Sequence, residues 1–109
     1  MTRCGEGAAL LLAIAVLLAS GTARAVGVEE RARTQCAACH GADGRGVSDD
    51  FPALAGQHAD YLARALADYQ HGARRNAIMQ AQVTGLTADE ITALAEHFAR
   101  LPGPLRVRR

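Results

Sequence analysis

Two cysteines and a histidine lie close together in the segment Q-C-A-A-C-H-G, residues 35–41. In a helix, Cys36, Cys39 and His40 project from one face, because residues three and four positions apart are neighbours on a helical surface. Two thiols at this spacing can add to the two vinyl groups of a haem, and the adjacent imidazole can then bind the iron. The pattern C-x-x-C-H is the attachment signature of c-type haem. We therefore expect one haem c per chain.

Two other chemistries use cysteine pairs. A zinc site needs two further ligands at suitable spacing, and no other cysteine outside the first residues of the chain could supply them. A thioredoxin-like redox pair belongs beside a strand–helix–strand pattern, which this sequence does not show. The sequence favours the haem site over both alternatives.

An iron bound by one histidine has a sixth coordination position, and Met79 is the candidate for it. It is the only methionine after residue 25 and stands in the segment N-A-I-M-Q. A thioether is a soft, uncharged ligand that favours reduced iron and so raises the reduction potential. The alternative is a methionine that fills a gap in the core. Three histidines compete for the position: His58 and His71, expected at solvated helix ends, and His97, expected at a helix surface.

A haem-ligating histidine needs a hydrogen-bond partner at its other ring nitrogen, which fixes its tautomer and orientation. Pro52, in the segment F-P-A-L-A-G-Q, can offer its carbonyl from a rigid backbone; the alternative is a simple turn proline. Haem propionates need donors where they are partly buried. Arg74 and Arg75, shortly before Met79, are candidates, the alternative being a pair of solvated surface charges.

Three stretches predict helices, and no stretch alternates with the period of a strand. The first is 28–40 and the second is 58–70, where apolar side chains recur at helical spacing and Gly72 can end the helix. The third begins at a capping box formed by Thr87 and Glu90 and ends before 102–104, P-G-P. The fold class is therefore all-α. Two connections, 41–57 and 72–86, are expected to be irregular and to lie against the group that fills the centre of the fold.

Residues 1–25 have the anatomy of a secretory signal peptide. Arg3 is followed by an apolar run at 8–19, and the segment closes with the small residues of A-R-A at 23–25. A membrane anchor is the alternative, but it needs about 18 or more apolar residues. We expect cleavage after residue 25, which removes Cys4 and leaves 26–109 as a single domain without a stable membrane anchor. The predicted location is the periplasm.

The composition limits the choice of partners. The formal net charge is +1, and aromatic residues make up 4% of the chain. A neutral, aromatic-poor domain gives no reason to expect nucleic acid as a partner. A domain of this size has a marginal core and usually needs a metal, a disulfide or a cofactor to stabilise it.

These motifs resemble those of class I c-type cytochromes, in particular the small single-domain bacterial carriers and one half of the related dihaem cytochromes. The resemblance runs from C-A-A-C-H-G-A-D-G-R-G through F-P-A-L-A-G-Q and Y-L-A-R-A-L-A-D-Y to L-T-A-D-E-I-T-A-L-A-E-H-F. It implies a cytochrome c-like fold of three to four helices around a covalently attached haem, with the first and last helices crossing beside it. It implies that Cys36 and Cys39 attach the haem covalently and that His40 and Met79 are the axial ligands. It also implies that Pro52 accepts a hydrogen bond from the axial histidine. One departure is His97, where the family commonly has an aromatic residue.

The expected function is that of a periplasmic electron carrier that docks transiently with redox partner proteins and is not itself an enzyme. A closed six-coordinate iron would cycle between ferric and ferrous states without changing ligands. Two alternatives stay open. The domain could be the haem subunit of a larger dehydrogenase or oxidase complex, or a haem protein for gases or peroxide with a labile sixth ligand.

Overall fold

The computed structural model describes residues 27–104, and within that range all regular structure is helical. The predicted signal peptide with Cys4 and the five C-terminal residues lie outside the described part. We number four helices: α1 covers 27–40, α2 covers Ala59–His71, α3 covers Ala77–Val83 and α4 covers Ala88–Arg100. No helix within residues 27–104 combines the length and apolar character needed to cross a bilayer.

Helix α1 contains an irregularity that the sequence did not predict. Its middle section, Ala32–Cys36, is a π-helical turn, and regular α-helix resumes over Ala37–His40. The Ala37 N–H donates to the carbonyl of Ala32, five residues earlier. A π turn inserts one extra residue and rotates the next helical segment about the helix axis, and such turns are frequent at functional sites. The turn therefore sets the direction in which the C-x-x-C-H segment points.

Helix α2 lies where the apolar periodicity predicted it, shifted by one residue. Its inward face carries the buried Leu62, with Leu66 and Tyr69 partly buried against the same core. Gly72 caps its C-terminus in the left-handed conformation, with φ 83° and ψ 5°, a backbone geometry that glycine adopts without a steric cost.

The prediction of an irregular connection over 72–86 was wrong, because this stretch contains helix α3. Asn76 caps the N-terminus of α3, and its side-chain oxygen accepts hydrogen bonds from the backbone N–H groups of Ile78 and Met79, at 3.0 and 3.1 Å. The helix covers only Ala77–Val83, which is too short to produce a recognisable apolar stripe. Such short helices depend on tertiary packing for stability. Met79 therefore lies on a helix, not in a loop.

Helix α4 begins at the predicted capping box. The Glu90 N–H donates to the Thr87 hydroxyl at 3.2 Å, and the Thr87 N–H donates to the Glu90 carboxylate at 3.3 Å. The buried side chains of this helix are Ile91, Leu94, Ala95 and Phe98. The capping box thus fixes the first residue of α4, and α4 supplies half of the core.

We predict that Thr87→Ala lowers the free energy of unfolding of the haem-loaded protein by about 1 kcal/mol, the usual effect of losing an N-cap hydroxyl. Thr92→Ala is the matched control, since the Thr92 hydroxyl bonds only the carbonyl of Ala88 on the exposed side of the same helix. Denaturant unfolding followed by circular dichroism measures both. Equal unfolding midpoints for the two variants would show that the capping box contributes nothing to the stability of the protein.

The core is small, and α4 supplies half of its buried residues. Of the described side chains, Val83 is the largest that is completely buried. The core cluster consists of Ala32, Leu62, Val83, Leu86, Ile91, Leu94, Ala95 and Phe98. A protein core of this size stabilises a domain only marginally.

Helices α1 and α4 meet through His97, whose predicted surface position was wrong. The His97 side chain is only 12% exposed, and its Nδ1 lies 3.2 Å from a carboxylate oxygen of Glu29. The other oxygen of Glu29 contacts Arg33 at 2.9 Å, and the His97 ring packs edge-on against Phe98 with centroids 5.0 Å apart. The polar partner on α1 allows a histidine to occupy this half-buried position, because a buried polar group needs a hydrogen bond.

Candidate haem site

The C-x-x-C-H segment lies at the C-terminal end of α1. Cys36 is the last residue of the π turn, and Cys39 and His40 follow on the α-helical turn. Both cysteines are free thiols and half-buried, and His40 is only 8% exposed. Burial raises the pKa of the Cys36 thiol, while the positive charge of Arg31 acts in the opposite direction. At neutral pH this thiol is therefore held in its protonated form.

The His40 ring is oriented by a backbone carbonyl. Its Nδ1 lies 2.9 Å from the carbonyl oxygen of Pro52, the contact that the sequence predicted. A carbonyl oxygen can only accept a hydrogen bond, so Nδ1 must carry the proton and donate. In a neutral imidazole this leaves the lone pair of Nε2 available for a metal ion. The ring of Phe51 stands edge-on to His40 at 6.5 Å between centroids.

Backbone hydrogen bonds hold the connection 41–57 against the end of α1. The Gly46 N–H donates to the carbonyl of His40 at 2.6 Å, and the Val47 N–H donates to that of Cys39 at 3.0 Å. Gly46 has φ 84°, and a Cβ at this position would collide with the carbonyl oxygen of Phe51. This close backbone approach requires glycine. The turn brings the chain back so that Pro52 reaches the His40 ring.

Met79 reaches the same core from a different helix. It is partly buried and packs against the core cluster, as Cys36 does from α1. On α3 the inward positions are Met79, Gln82 and the buried Val83, whereas Ile78 is 60% exposed. The spacing of i, i+3 and i+4 places all three inward residues on one helical face.

Gln70 helps to hold α3 in place, and no feature of the sequence predicted this role. Its Nε2 donates to the carbonyl of Val83 at 3.1 Å and to that of Leu86 at 2.8 Å. It thereby satisfies backbone acceptors at and just beyond the C-terminus of α3, where helical carbonyls lack partners within the helix. The acceptors lie 13 and 16 residues further along the chain, so no local pattern could have indicated them.

The remaining candidate residues lie at the surface. Arg74 and Arg75 are exposed between α2 and α3, and the Arg74 guanidinium stands over the ring of Tyr69 at 5.1 Å from its centroid. His58 and His71 are exposed at the two ends of α2, as expected. The two arginines remain candidates for propionate contacts.

The described residues fit a covalently attached haem. Two free thiols and an imidazole with an available Nε2 lie together at the end of α1, and a thioether approaches the same core from α3. The protein core is small, so a large apolar cofactor would add substantially to the buried surface. One buried polar atom, Oε1 of Gln82 on α3, has no hydrogen-bond partner among the described residues. Cys36 and Cys39 would hold the group through thioethers, and His40 would supply its iron with one axial ligand.

The helical fold and this donor set define the class of protein that carries haem on a C-x-x-C-H segment. Comparison with known families agrees, because the family model for cytochrome c matches residues 29–101. The chain belongs to the cytochrome c family. Its cofactor is accordingly haem c, and the predictions of the fold class and of the cofactor are both confirmed.

The chain is similar to several bacterial proteins. It is 41% identical over 78 residues to the thiosulfate dehydrogenase electron acceptor of Stutzerimonas stutzeri, a match that covers 69% of this chain and 36% of that protein. It is 36% identical over 67 residues to cytochrome c-554(548) of Halomonas halodenitrificans, covering 59% of this chain and 81% of that one.

The solved structure of reduced cytochrome c4 from Pseudomonas stutzeri is similar, with a TM-score of 0.64 and 33% identity, over 74% of this chain and 50% of that one. The chain thus spans about one third of the length of the first of these relatives and half of the solved cytochrome c4.

Proposed function

We propose that this protein is a periplasmic electron carrier. The signal peptide at 1–25 would direct export, and 26–109 would form the mature single domain. When bound, the haem supplies a one-electron couple between ferric and ferrous iron. The observation that carries the proposal is the pair of candidate iron donors: His40 is buried at the end of α1, and Met79 packs against the core from α3.

In this proposal each described residue has a defined task. Cys36 and Cys39 anchor the cofactor covalently, and His40 binds the iron through Nε2 while Pro52 holds its ring. Met79 occupies the sixth position and keeps small molecules from reaching the iron. Arg74 and Arg75 would donate to the propionates. A site closed in this way transfers electrons without substrate chemistry, so the protein is a carrier and not an enzyme.

Fixed ligands on both sides of the iron are what an electron carrier needs. The Pro52 carbonyl constrains the His40 ring, and the Asn76 cap and Gln70 constrain the helix that bears Met79. Constrained donors change position little when the iron changes charge, which keeps the reorganisation accompanying electron transfer small. Docking with redox partners would be brief and confined to a small area, as is usual for such encounters.

Carbon monoxide tests the proposal against a role in binding small ligands. We expect the optical spectrum of the ferrous protein to be unchanged under carbon monoxide, because Met79 occupies the sixth position, while ferricyanide and dithionite interconvert the two oxidation states fully and reversibly. A spectrum that changes at once on adding the gas would contradict the carrier role and support a haem with a labile sixth ligand.

A role as the haem subunit of a larger dehydrogenase complex is the second candidate. It is favoured by the name of another relative, the cytochrome subunit of sulfide dehydrogenase of Chlorobaculum tepidum. Affinity purification of the tagged protein from periplasm at low and moderate salt distinguishes the two. A free carrier releases its partners as ionic strength rises, since the docking is steered by charge, whereas a subunit retains a stoichiometric partner.

A further inference from the structure

Ala55 is a buried apolar residue whose burial the core does not explain. Its exposure is 0%, yet among the buried apolar side chains of the described residues it alone lies outside the core cluster. It belongs to the connection 41–57 and follows Pro52 by three residues. The carbonyl oxygen of Pro52 faces the His40 ring. The contacts that bury Ala55 therefore bear on the position of that carbonyl.

Two glycines lie against Ala55, and neither has room for a side chain. A Cβ on Gly44 would lie 3.0 Å from the Ala55 methyl carbon and 3.1 Å from its backbone nitrogen. A Cβ on Gly103 would collide with the Ala55 carbonyl oxygen and would lie 2.5 Å from the methyl carbon. Carbon atoms in contact are normally about 3.5–4.0 Å apart, so both close approaches require glycine. One glycine belongs to the same connection, and the other comes from the chain after α4.

The segment that carries Gly103 is stiff and leaves a helix that also contacts the connection. Gly103 stands between the two prolines of 102–104, and each proline fixes its own φ and restricts the residue before it. The φ of Gly103 lies outside the left-handed region, so the close approach, and not the backbone conformation, is the reason for glycine here. The Phe98 carbonyl, in the last turn of α4, accepts hydrogen bonds from the N–H groups of Gly56 at 3.4 Å and Leu101 at 3.2 Å. The connection is thus held by the end of α4 and by the segment that follows it.

Backbone hydrogen bonds link the position of Ala55 to that of Pro52. The N–H groups of Leu54 and Ala55 both donate to the carbonyl of Gly44, at 2.7 and 2.9 Å. Only Ala53 separates Leu54 from Pro52, and the φ of the proline is fixed by its ring. A displacement of Ala55 therefore moves the Pro52 carbonyl as well.

We propose that Gly103 and Ala55 are positioning residues for His40, because the segment 102–104 packs on Ala55 and so holds the Pro52 carbonyl against Nδ1 of the imidazole. The inference rests on the proposed function, in which His40 is an axial ligand. A hydrogen bond from the second ring nitrogen to a carbonyl raises the basicity of a ligating histidine, which favours ferric over ferrous iron. The segment after α4 therefore keeps the reduction potential lower than a displaced connection would.

The experiment compares the haem-loaded parent protein with the variants Gly103→Ala and Thr87→Ala. We expect the new methyl group of Gly103→Ala to displace Ala55 and to lengthen the hydrogen bond between His40 and Pro52. At a fixed applied potential, the ratio of ferrous to ferric protein then rises, by at most about fivefold, the equivalent of one net hydrogen bond. The ring N–H resonance of His40 in the ferrous protein moves to lower frequency, because its hydrogen bond is weaker. Thr87→Ala is the control for a loss of stability alone, since Thr87 lies at the opposite end of α4 from the segment 102–104. It should leave both quantities at the parent values.

Two results would overturn the inference. The first is a Gly103→Ala variant whose reduction potential and His40 resonance equal those of Thr87→Ala, because a loss of stability alone would then account for it. The second needs no variant to fold. In the ferrous parent protein we expect a nuclear Overhauser effect between the α protons of Gly103 and the Ala55 methyl group, and its absence would show that the segment does not pack on the connection. Failure of the carrier function is recognised separately, because it appears as a parent spectrum that changes with carbon monoxide.

Discussion

Replacing Met79 by alanine removes the sulfur-to-iron charge-transfer band of the ferric protein and leaves the haem attached. The band requires a thioether bound to the iron, whereas the proposed attachment residues, Cys36 and Cys39, lie at the end of another helix. We also expect the reduction potential to fall by on the order of 0.1 V or more, because axial ligands set haem potentials over a span of roughly 0.8 V and a thioether favours the ferrous state.

Ile78→Ala is the matched control for this experiment. Ile78 is the preceding residue on α3 and is 60% exposed, so its truncation alters the helix surface without removing a donor. We expect the Ile78→Ala variant to keep the charge-transfer band and the reduction potential of the parent protein. Survival of the band in Met79→Ala would instead show that the thioether assignment is wrong. If the band is lost but the iron stays six-coordinate, His58 and His71, the exposed histidines at the ends of α2, would be the first to substitute.

Replacing both Cys36 and Cys39 by serine produces a chain without covalent haem that is largely unfolded. The serine hydroxyl is a far weaker nucleophile than a thiol and forms no thioether with a vinyl group. Without the cofactor, the domain must rely on a core in which Val83 is the largest completely buried described side chain. By analogy with structural metals, whose binding free energy is also folding free energy, loss of the haem should remove most of the stability.

Two measurements on the purified polypeptide decide this second prediction. Mass spectrometry reports whether the cofactor is attached, and far-UV circular dichroism reports the helix content. Cys4→Ser is the control, because Cys4 lies in the predicted signal peptide and should have no influence on attachment. A double variant that keeps the helix signal of the parent would show that the helices pack without the haem, and would refute the idea that the cofactor completes the core.

The two axial candidates are held by unrelated parts of the chain. His40 is fixed by the connection 41–57, whose Gly46 and Pro52 approach the end of α1. Met79 is fixed by α3, with Asn76 at one end and Gln70 at the other. The position of each donor can therefore change without the other, which is why substitutions on α3 are expected to alter the sixth ligand while the attachment site stays intact.

Features whose physics is local could be predicted from the order of residues. The C-x-x-C-H spacing, the apolar stripe of α2, the glycine after it and the capping box of α4 each involve residues within a few positions of one another. Backbone geometry alone relates such residues, so three of the four helices, the all-α class and the haem cofactor could be predicted. The Pro52 contact with His40 was also predicted, because a rigid carbonyl a short distance along the chain is a natural acceptor for the imidazole.

Features whose partners are remote depend on how the helices pack. His97 is half-buried because Glu29, 68 residues earlier, accepts its hydrogen bond, and nothing near His97 in the sequence indicates that partner. The seven residues of α3 form a helix because Gln70 and the core hold them, so the stretch looked irregular by itself. The burial of the Gln82 amide oxygen likewise depends on how the helices pack. The free energy of burying a side chain depends on its neighbours in space, which the order of residues does not specify.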